Sequence, residues 1–175
     1  NGPTTPLSNN ITELINMQER FQKVISFFGF LLICITVSGI GGAVTRMSVH
    51  DWYQELNKPL FTPPDWVFAP VWIALYLFIA VSGWRVWWRV RNHDRCVAMT
   101  AFGIQLALNL AWSLIFFGAR SIGWAAIELM ILWTAIALNL CLFWKIDRLA
   151  GSLLIPYFFW TSFALALNIS IYVNN

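Results

Sequence analysis

The side chains best suited to chemistry in this sequence are aromatic rings placed at helical spacing. Trp72 and Tyr76 are four residues apart, and in a helix their directions differ by only about 40°. The two rings would therefore stack on one face. An aromatic contact with a flat apolar ligand adds about 1 kcal/mol beyond the burial of area. The spacing predicts a wall against which such a ligand can lie.

A second group of polar and aromatic side chains shares one face of residues 105–116. Its members are Gln105, Asn109, Trp112, Ser113 and Phe116. Amides deep in an apolar environment are costly without hydrogen-bond partners. They can bond across to Thr161, Ser162 and Asn168, or they can face a ligand. The two interpretations are compatible, and the sequence leaves both open.

The opposite face of the same segment is made of small residues. Gly103, Ala107 and Ala111 recur every four residues, a pattern that lets two membrane helices approach closely. This stripe predicts a helix partner, including a second copy of the chain in a homodimer.

The segment PYFFWTSFALALN, residues 156–168, combines a large ring with a small neighbour. Trp160 and Ala164 lie one helical turn apart on a shared face. The small side chain leaves room beside the indole. This geometry favours a slot over a filled core.

Conventional catalytic groups find little support. The sequence contains no Ser–His–Asp set, paired carboxylates, P-loop or dinucleotide motif. His50 and His93 are isolated, so neither a haem ligand nor another metal site is predicted. The three cysteines, Cys34, Cys96 and Cys141, fall in separate apolar segments, which argues against disulfides and zinc.

Glu128 is the one acidic residue well inside an apolar segment. Intramembrane acids are functional candidates by default. One hypothesis is therefore a proton-coupled exporter of small cations. The alternative is that Glu128 has an ordinary polar partner and no functional role, because it lies only about two turns from the start of its segment and so close to water.

Composition indicates the elements that position these residues. The 175-residue chain is 59% hydrophobic and 11% charged, with a mean hydropathy of +0.66, and a soluble domain of this size cannot bury so much apolar surface. Several stretches reach the roughly 20 residues that span a bilayer. We predict an all-α integral membrane bundle of five transmembrane helices in contact with lipid and not with nucleic acid. The spans are about Val24–Val44, Trp66–Trp88, Cys96–Phe117, Ile122–Trp144 and Gly151–Val173.

The chain outside these spans divides into two parts. Residues 1–23 form a polar segment that is either disordered or an interfacial helix, and residues 24–175 form the five-helix domain. Between the first two helices, Pro59, Pro63 and Pro64 predict a rigid Pro/Trp-rich loop. Asp65 is expected to cap the second helix.

Charge distribution predicts the orientation. Eight basic residues fall on the N-terminal side, but only Arg46, Lys58 and Arg120 fall on the other side. The positive-inside rule then places the N-terminus in the cytoplasm.

The sequence resembles the TspO/MBR family of tryptophan-rich sensory and translocator proteins. The resemblance lies in WYQELNKPLFTPPDWVFAPVW (52–72), LNLAWSLIFF (108–117) and PYFFWTSFALALN (156–168), which occur in the family's order. It covers essentially residues 25–172. It implies a five-helix bundle, often dimeric, with a pocket open toward the loop after the first helix.

Known members of that family bind porphyrins, haem-pathway intermediates and synthetic aromatic ligands, and some bind sterols. The resemblance implies transport or sensing of porphyrin, as protoporphyrin IX or haem, with no cofactor required. The pocket residues it implies are Tyr53, Trp72, Asn109, Ser113, Trp160 and Ala164, and the faces described above add Tyr76 and Trp112. Arg46 or Lys58 could meet porphyrin carboxylates, although for each residue singly a solvated loop position is the better explanation.

The resemblance also implies an alternative function. In some bacterial members, the tryptophans matching Trp72 and Trp160 are implicated in light-dependent breakdown of protoporphyrin IX. These two residues would then be catalytic redox partners in a light- and oxygen-dependent degradation. A sterol is a doubtful ligand, because Tyr172 is not followed by the basic residue of the family's sterol pattern. A bacterial cell envelope is favoured over the mitochondrial outer membrane.

Overall fold

The structure, a computed structural model, describes residues 6–175, with side chains described from residue 12 onward. The helices are α1 (Pro6–Val49), α2 (Trp52–Glu55), α3 (Asp65–Arg89), α4 (Asn92–Ser113), α5 (Ile122–Ile146) and α6 (Arg148–Asn174). A π-helical turn, Leu114–Gly118, extends α4. No strand occurs within residues 6–175, and every helix except α2 is long and apolar enough to cross a membrane. The predicted all-α class and five spans are confirmed, and the protein is a multi-pass membrane protein.

The five long helices form a closed ring. They pack in the order α1–α3–α6–α5–α4, and α4 returns to α1. Large apolar side chains face outward, including Leu32, Ile73 and Leu138, each about two-thirds exposed, as a lipid environment requires. We name the two ends of the bundle the α2 end and the Asp147 end, after the connections found there.

The first helix is much longer than its predicted span. With 44 residues it is about 66 Å long, more than twice the roughly 30 Å of a hydrocarbon core. Residues 6–23 continue the helix of the first span, so no break marks the predicted boundary at residue 23. Residues 1–5 of the predicted polar segment lie outside the described residues.

The connection between α2 and α3 is tied down by hydrogen bonds. Lys58 Nζ donates to the Tyr53 carbonyl at 2.7 Å and lies 4.6 Å from the centre of the Tyr53 ring. The Asn57 amide donates to Asn175 Oδ1 at 3.0 Å, which joins this connection to the end of α6. These contacts hold the Pro-rich loop across the α2 end of the bundle.

The expectation that Asp65 caps α3 is wrong. Asp65 is the first residue of that helix, and Pro64 occupies the capping position without a side-chain hydrogen bond. The Asp65 carboxylate instead accepts a hydrogen bond from Gln54 Nε2 at 2.7 Å. It therefore fastens α2 to the start of α3.

Asp147 organises the opposite end. Its carboxylate caps α6 by accepting from the Leu149 and Ala150 amides at 2.9 and 3.4 Å, and it pairs with Arg85 Nη2 at 2.8 Å and Arg89 Nε at 3.3 Å. Burial alone would raise the pKa of Asp147, but these amides and the Arg85 guanidinium together hold it below its ordinary value of 3.8. Asp147 thus links α3 to the α5–α6 turn.

We expect Asp147→Asn to lower the free energy of unfolding in detergent by about 1–3 kcal/mol at pH 7, because it removes charge-assisted hydrogen bonds. The folded-state pKa is depressed, so the contribution is complete above the unfolded-state pKa of about 3.9 and disappears as pH falls through the folded value. Thermal unfolding measured from pH 7 to pH 3 checks this. Asp94→Asn, which alters an exposed acid of α4, is the control; equal losses in both variants would contradict the assignment.

Candidate ligand-binding site

A cavity of about 530 Å³ opens near the α2 end of the bundle. Its walls come from α1, α3, α4 with its π-turn, and α6, while Tyr53 of α2 lies over it. The helix α5 contributes no lining residue. The cavity therefore lies to one side of the ring, and residues 56–64 of the Pro-rich loop do not line it.

Aromatic rings dominate the walls. Trp72 and Tyr76 have ring centres 5.8 Å apart with planes inclined by 38°, which matches the spacing predicted from the sequence. Trp112 stacks on Phe116 at 5.3 Å and 24°. Two pairs of adjacent rings thus offer broad apolar surfaces to one space.

The inner limit of the cavity is a chain of hydrogen bonds joining three helices. Tyr76 Oη donates to Asn109 Oδ1 at 2.5 Å, and Asn109 Nδ2 donates to Tyr157 Oη at 2.8 Å. Asn109 therefore lines the cavity and also bonds across to α6. Its partner there is Tyr157 rather than any of the three polar residues expected from the sequence.

Asn168, one of those three, has different partners. Its Oδ1 accepts from Trp112 Nε1 at 3.2 Å, and its Nδ2 donates to the Ile122 carbonyl at 3.0 Å. Both Trp112 and Asn168 line the cavity. Gln105, predicted on the same face as Asn109, is fully buried but does not line the cavity.

The cavity brings together seven of the eight predicted ligand-binding residues. They are Tyr53, Trp72, Tyr76, Asn109, Trp112, Ser113 and Ala164. Trp160 is the exception: its ring packs against Phe68 at 5.8 Å and Phe163 at 5.5 Å. Phe68 does line the cavity, so Trp160 contacts a ring of the wall without lining the cavity itself.

The sequence did not predict that α1 forms a wall of the cavity. Ser38, Gly42 and Arg46 recur every four residues along the cavity side of this helix, and His50 continues the spacing just beyond its end. The sequence feature that could have indicated this is SGIGG at residues 38–42, because glycines without side chains leave space between helices. A carbon added at Gly42 would have no atom within 4 Å.

Polar groups in and near the cavity differ in how well they could support chemistry. Burial, and secondarily the negative charge of Asp65, raise the pKa of Tyr53 to about 12, so this phenol stays protonated and neutral. Glu128 is buried but lies outside the cavity lining. Within the described part of the chain, no group of three His, Cys, Asp or Glu residues could hold a metal ion.

Comparison with known proteins identifies the family. Residues 30–173 match the TspO/MBR family. The chain belongs to that family. Among its TspO/MBR relatives is protein CrtK of Rhodobacter capsulatus, 32% identical over 152 residues, which cover 86% of this chain and 94% of that protein.

Two further relatives show how widely the family extends. The tryptophan-rich protein TspO of Chlorobaculum tepidum is 34% identical over 146 residues, which cover 79% of this chain and 89% of that protein. The human translocator protein is 37% identical over 126 residues, which cover 71% of this chain and 75% of that protein. The TspO/MBR resemblance in the sequence is thereby confirmed.

We expect Asn109→Leu to lower the free energy of unfolding by about 1–3 kcal/mol, because it leaves the hydroxyls of Tyr76 and Tyr157 without their partner. Asn139→Leu is the matched control: Asn139 is fully buried on α5, and neither of its amide atoms has a partner within the described residues. Its replacement should be neutral or stabilising. The free energy of unfolding in detergent is measured for both variants. An Asn109→Leu variant as stable as the control would refute the stabilising role of the Tyr76–Asn109–Tyr157 hydrogen bonds.

Proposed function

We propose that this TspO/MBR protein binds porphyrin-like tetrapyrroles and other flat apolar ligands in the cavity, and that binding serves their transport or sensing. The observation that supports this most is the cavity, whose volume of about 530 Å³ falls within the range of small-molecule sites, about 300–1,000 Å³. The ring pairs Trp72/Tyr76 and Trp112/Phe116 suit a broad flat ligand.

The chemistry of the lining supports binding over conventional catalysis. The Asn109 amide is engaged on both its oxygen and its nitrogen, and the Tyr53 phenol remains neutral. His50 is an isolated imidazole at the cavity. In this proposal, protoporphyrin IX or haem is the ligand, and no cofactor is required.

The surface of α4 supports a homodimer as part of the proposal. Gly103 and Ala107 are exposed, and no atom lies within 4 Å of a carbon added at Gly103. With Ala111 they form a small-residue stripe on which a second copy can pack closely. The charge bias and the bacterial relatives favour a bacterial cell envelope with the N-terminus in the cytoplasm.

The cavity can be tested by filling it. Gly42 and Gly39 are both exposed helical glycines of α1 with no atom within 4 Å of an added carbon, but only Gly42 lines the cavity. We expect Gly42→Leu to weaken protoporphyrin IX binding by about tenfold or more, equivalent to about 1.4 kcal/mol. Gly39→Leu should leave binding unchanged. Quenching of tryptophan fluorescence in the dark measures both, and absence of saturable binding by the wild type would refute the proposal.

Photo-oxidative degradation is the second candidate, and the position of Trp72 favours it. An indole at the cavity wall can give an electron to an excited porphyrin, with oxygen as the final oxidant. Trp160, which does not line the cavity, is less well placed for direct contact. The two tryptophans implied by the family resemblance therefore differ in position here.

We expect an unequal effect of the two tryptophans if degradation occurs. In light and oxygen, Trp72→Phe should slow the loss of the porphyrin absorption bands by about tenfold, and Trp160→Phe should slow it less, because electron donation favours direct contact. Dark samples and samples without oxygen are the controls. Equal bleaching in the wild type and in both variants would rule out a redox role for these indoles.

A further inference from the structure

We propose that, among the flat ligands the cavity accepts, it favours those with an anionic edge, and that Arg46 binds the carboxylate of such a ligand. This inference rests on the proposed ligand-binding function and adds the charge class of the ligand and the residue that recognises it. Four features of the structure support it: the position of Arg46, its lack of an acidic partner, the engagement of neighbouring charges, and the open space beside it.

Arg46 lines the cavity from the last turn of α1. It lies one turn from Gly42 toward the α2 end, so the guanidinium is at the mouth and the aromatic walls extend inward from it. A ligand whose apolar body contacts Trp72 and Trp112 can therefore keep a charged edge at Arg46.

The guanidinium has no acidic partner. Within the described residues, the ion pairs join Lys23 to Glu19 and join Arg85 and Arg89 to Asp147. Arg46 takes part in none of them. An unpaired arginine beside an apolar space can bind a carboxylate through two parallel hydrogen bonds.

The other charged groups nearby are already engaged. Lys58, the second candidate from the sequence, donates to the Tyr53 and Gln54 carbonyls at 2.7 and 3.4 Å and does not line the cavity. Asp65 does line the cavity, but its carboxylate accepts from Gln54 Nε2 and lies at the positive N-terminal end of α3. Among the residues that the structure describes, Arg46 is thus the one lysine or arginine in the cavity lining.

Gly42 provides the space that this arrangement needs. Because nothing within 4 Å occupies the position of its missing side chain, the backbone of α1 is open to a flat ligand directly beside Arg46. An apolar surface that ends at a cation is complementary to a molecule with an apolar face and an anionic edge. A neutral ligand of the same shape would form no ion pair with the guanidinium.

Two other roles for Arg46 make different predictions. A cation in the last turn of a helix stabilises the helix dipole, and an arginine at a membrane boundary can extend toward a lipid phosphate. Neither role depends on the charge of a ligand inside the cavity. A pair of ligands that differ only in charge therefore separates these roles from the proposed one.

The experiment compares protoporphyrin IX, which has two carboxylates, with its neutral dimethyl ester. Binding is measured by tryptophan quenching in the dark, in neutral detergent, for the wild type, Arg46→Gln, Arg46→Lys and Arg120→Gln. Arg120 is the matched control, because it is an exposed cation at the same end of the bundle and does not line the cavity.

We expect Arg46→Gln to weaken binding of protoporphyrin IX by about tenfold and to leave binding of the ester unchanged. Arg46→Lys should lose about threefold, because lysine keeps the charge without the bidentate geometry. Arg120→Gln should bind both ligands like the wild type. Added phosphatidylglycerol should not displace protoporphyrin IX from the wild type.

The outcomes distinguish this inference from the proposed function. If the wild type binds neither ligand, the proposed function fails. If it binds both, but Arg46→Gln weakens them equally or not at all, the cavity binds ligands and the anion assignment is overturned. Displacement by phosphatidylglycerol that is lost in Arg46→Gln would also overturn it, because Arg46 would then serve a lipid phosphate.

Discussion

The structure depends on one constraint of the lipid environment: a polar group inside the bundle is costly unless it finds a partner in the protein. Asn109 meets this constraint by bonding Tyr76 of α3 and Tyr157 of α6 at the same time. The amide thereby fixes three helices relative to one another at mid-bundle. Helix association in lipid lacks the hydrophobic driving force available in water, so such bonds and close packing must supply it.

The position of these bonds explains why the cavity occupies only one part of the bundle. Toward the Asp147 end, Ile79, Phe102 and Leu132 pack with almost no exposed surface. Toward the α2 end, the small residues of α1 and Ala164 of α6 leave space, and the aromatic rings surround it. The loop at this end is held by hydrogen bonds of Lys58 and Asn57.

Features set by apolar length and helical periodicity could be predicted from the sequence. Features set by how the helices and their side chains pack together could not. The five spans and the Trp72/Tyr76 stack follow from apolar length and from 100° per residue, and both are present. The length of α1 was missed because polar residues near its start resemble a separate segment. The helical face that carries Trp160 is broad, and the sequence cannot show that this indole packs against Phe68 and does not itself line the cavity.

The hydrogen-bonded inner limit also bears on how a ligand can move. A molecule that enters near the α2 end reaches Tyr76 and Asn109, and beyond them the interior is a packed core with no further lining residue of the cavity. Passage through the bundle axis would have to break the Tyr76–Asn109–Tyr157 bonds and separate three helices in an apolar medium, where unpaired hydroxyls and amides are costly. Entry and exit through the same end of the bundle avoids that cost. The arrangement is thus better suited to capturing a ligand and releasing it on the side of the membrane where it was bound than to conducting it along the bundle axis.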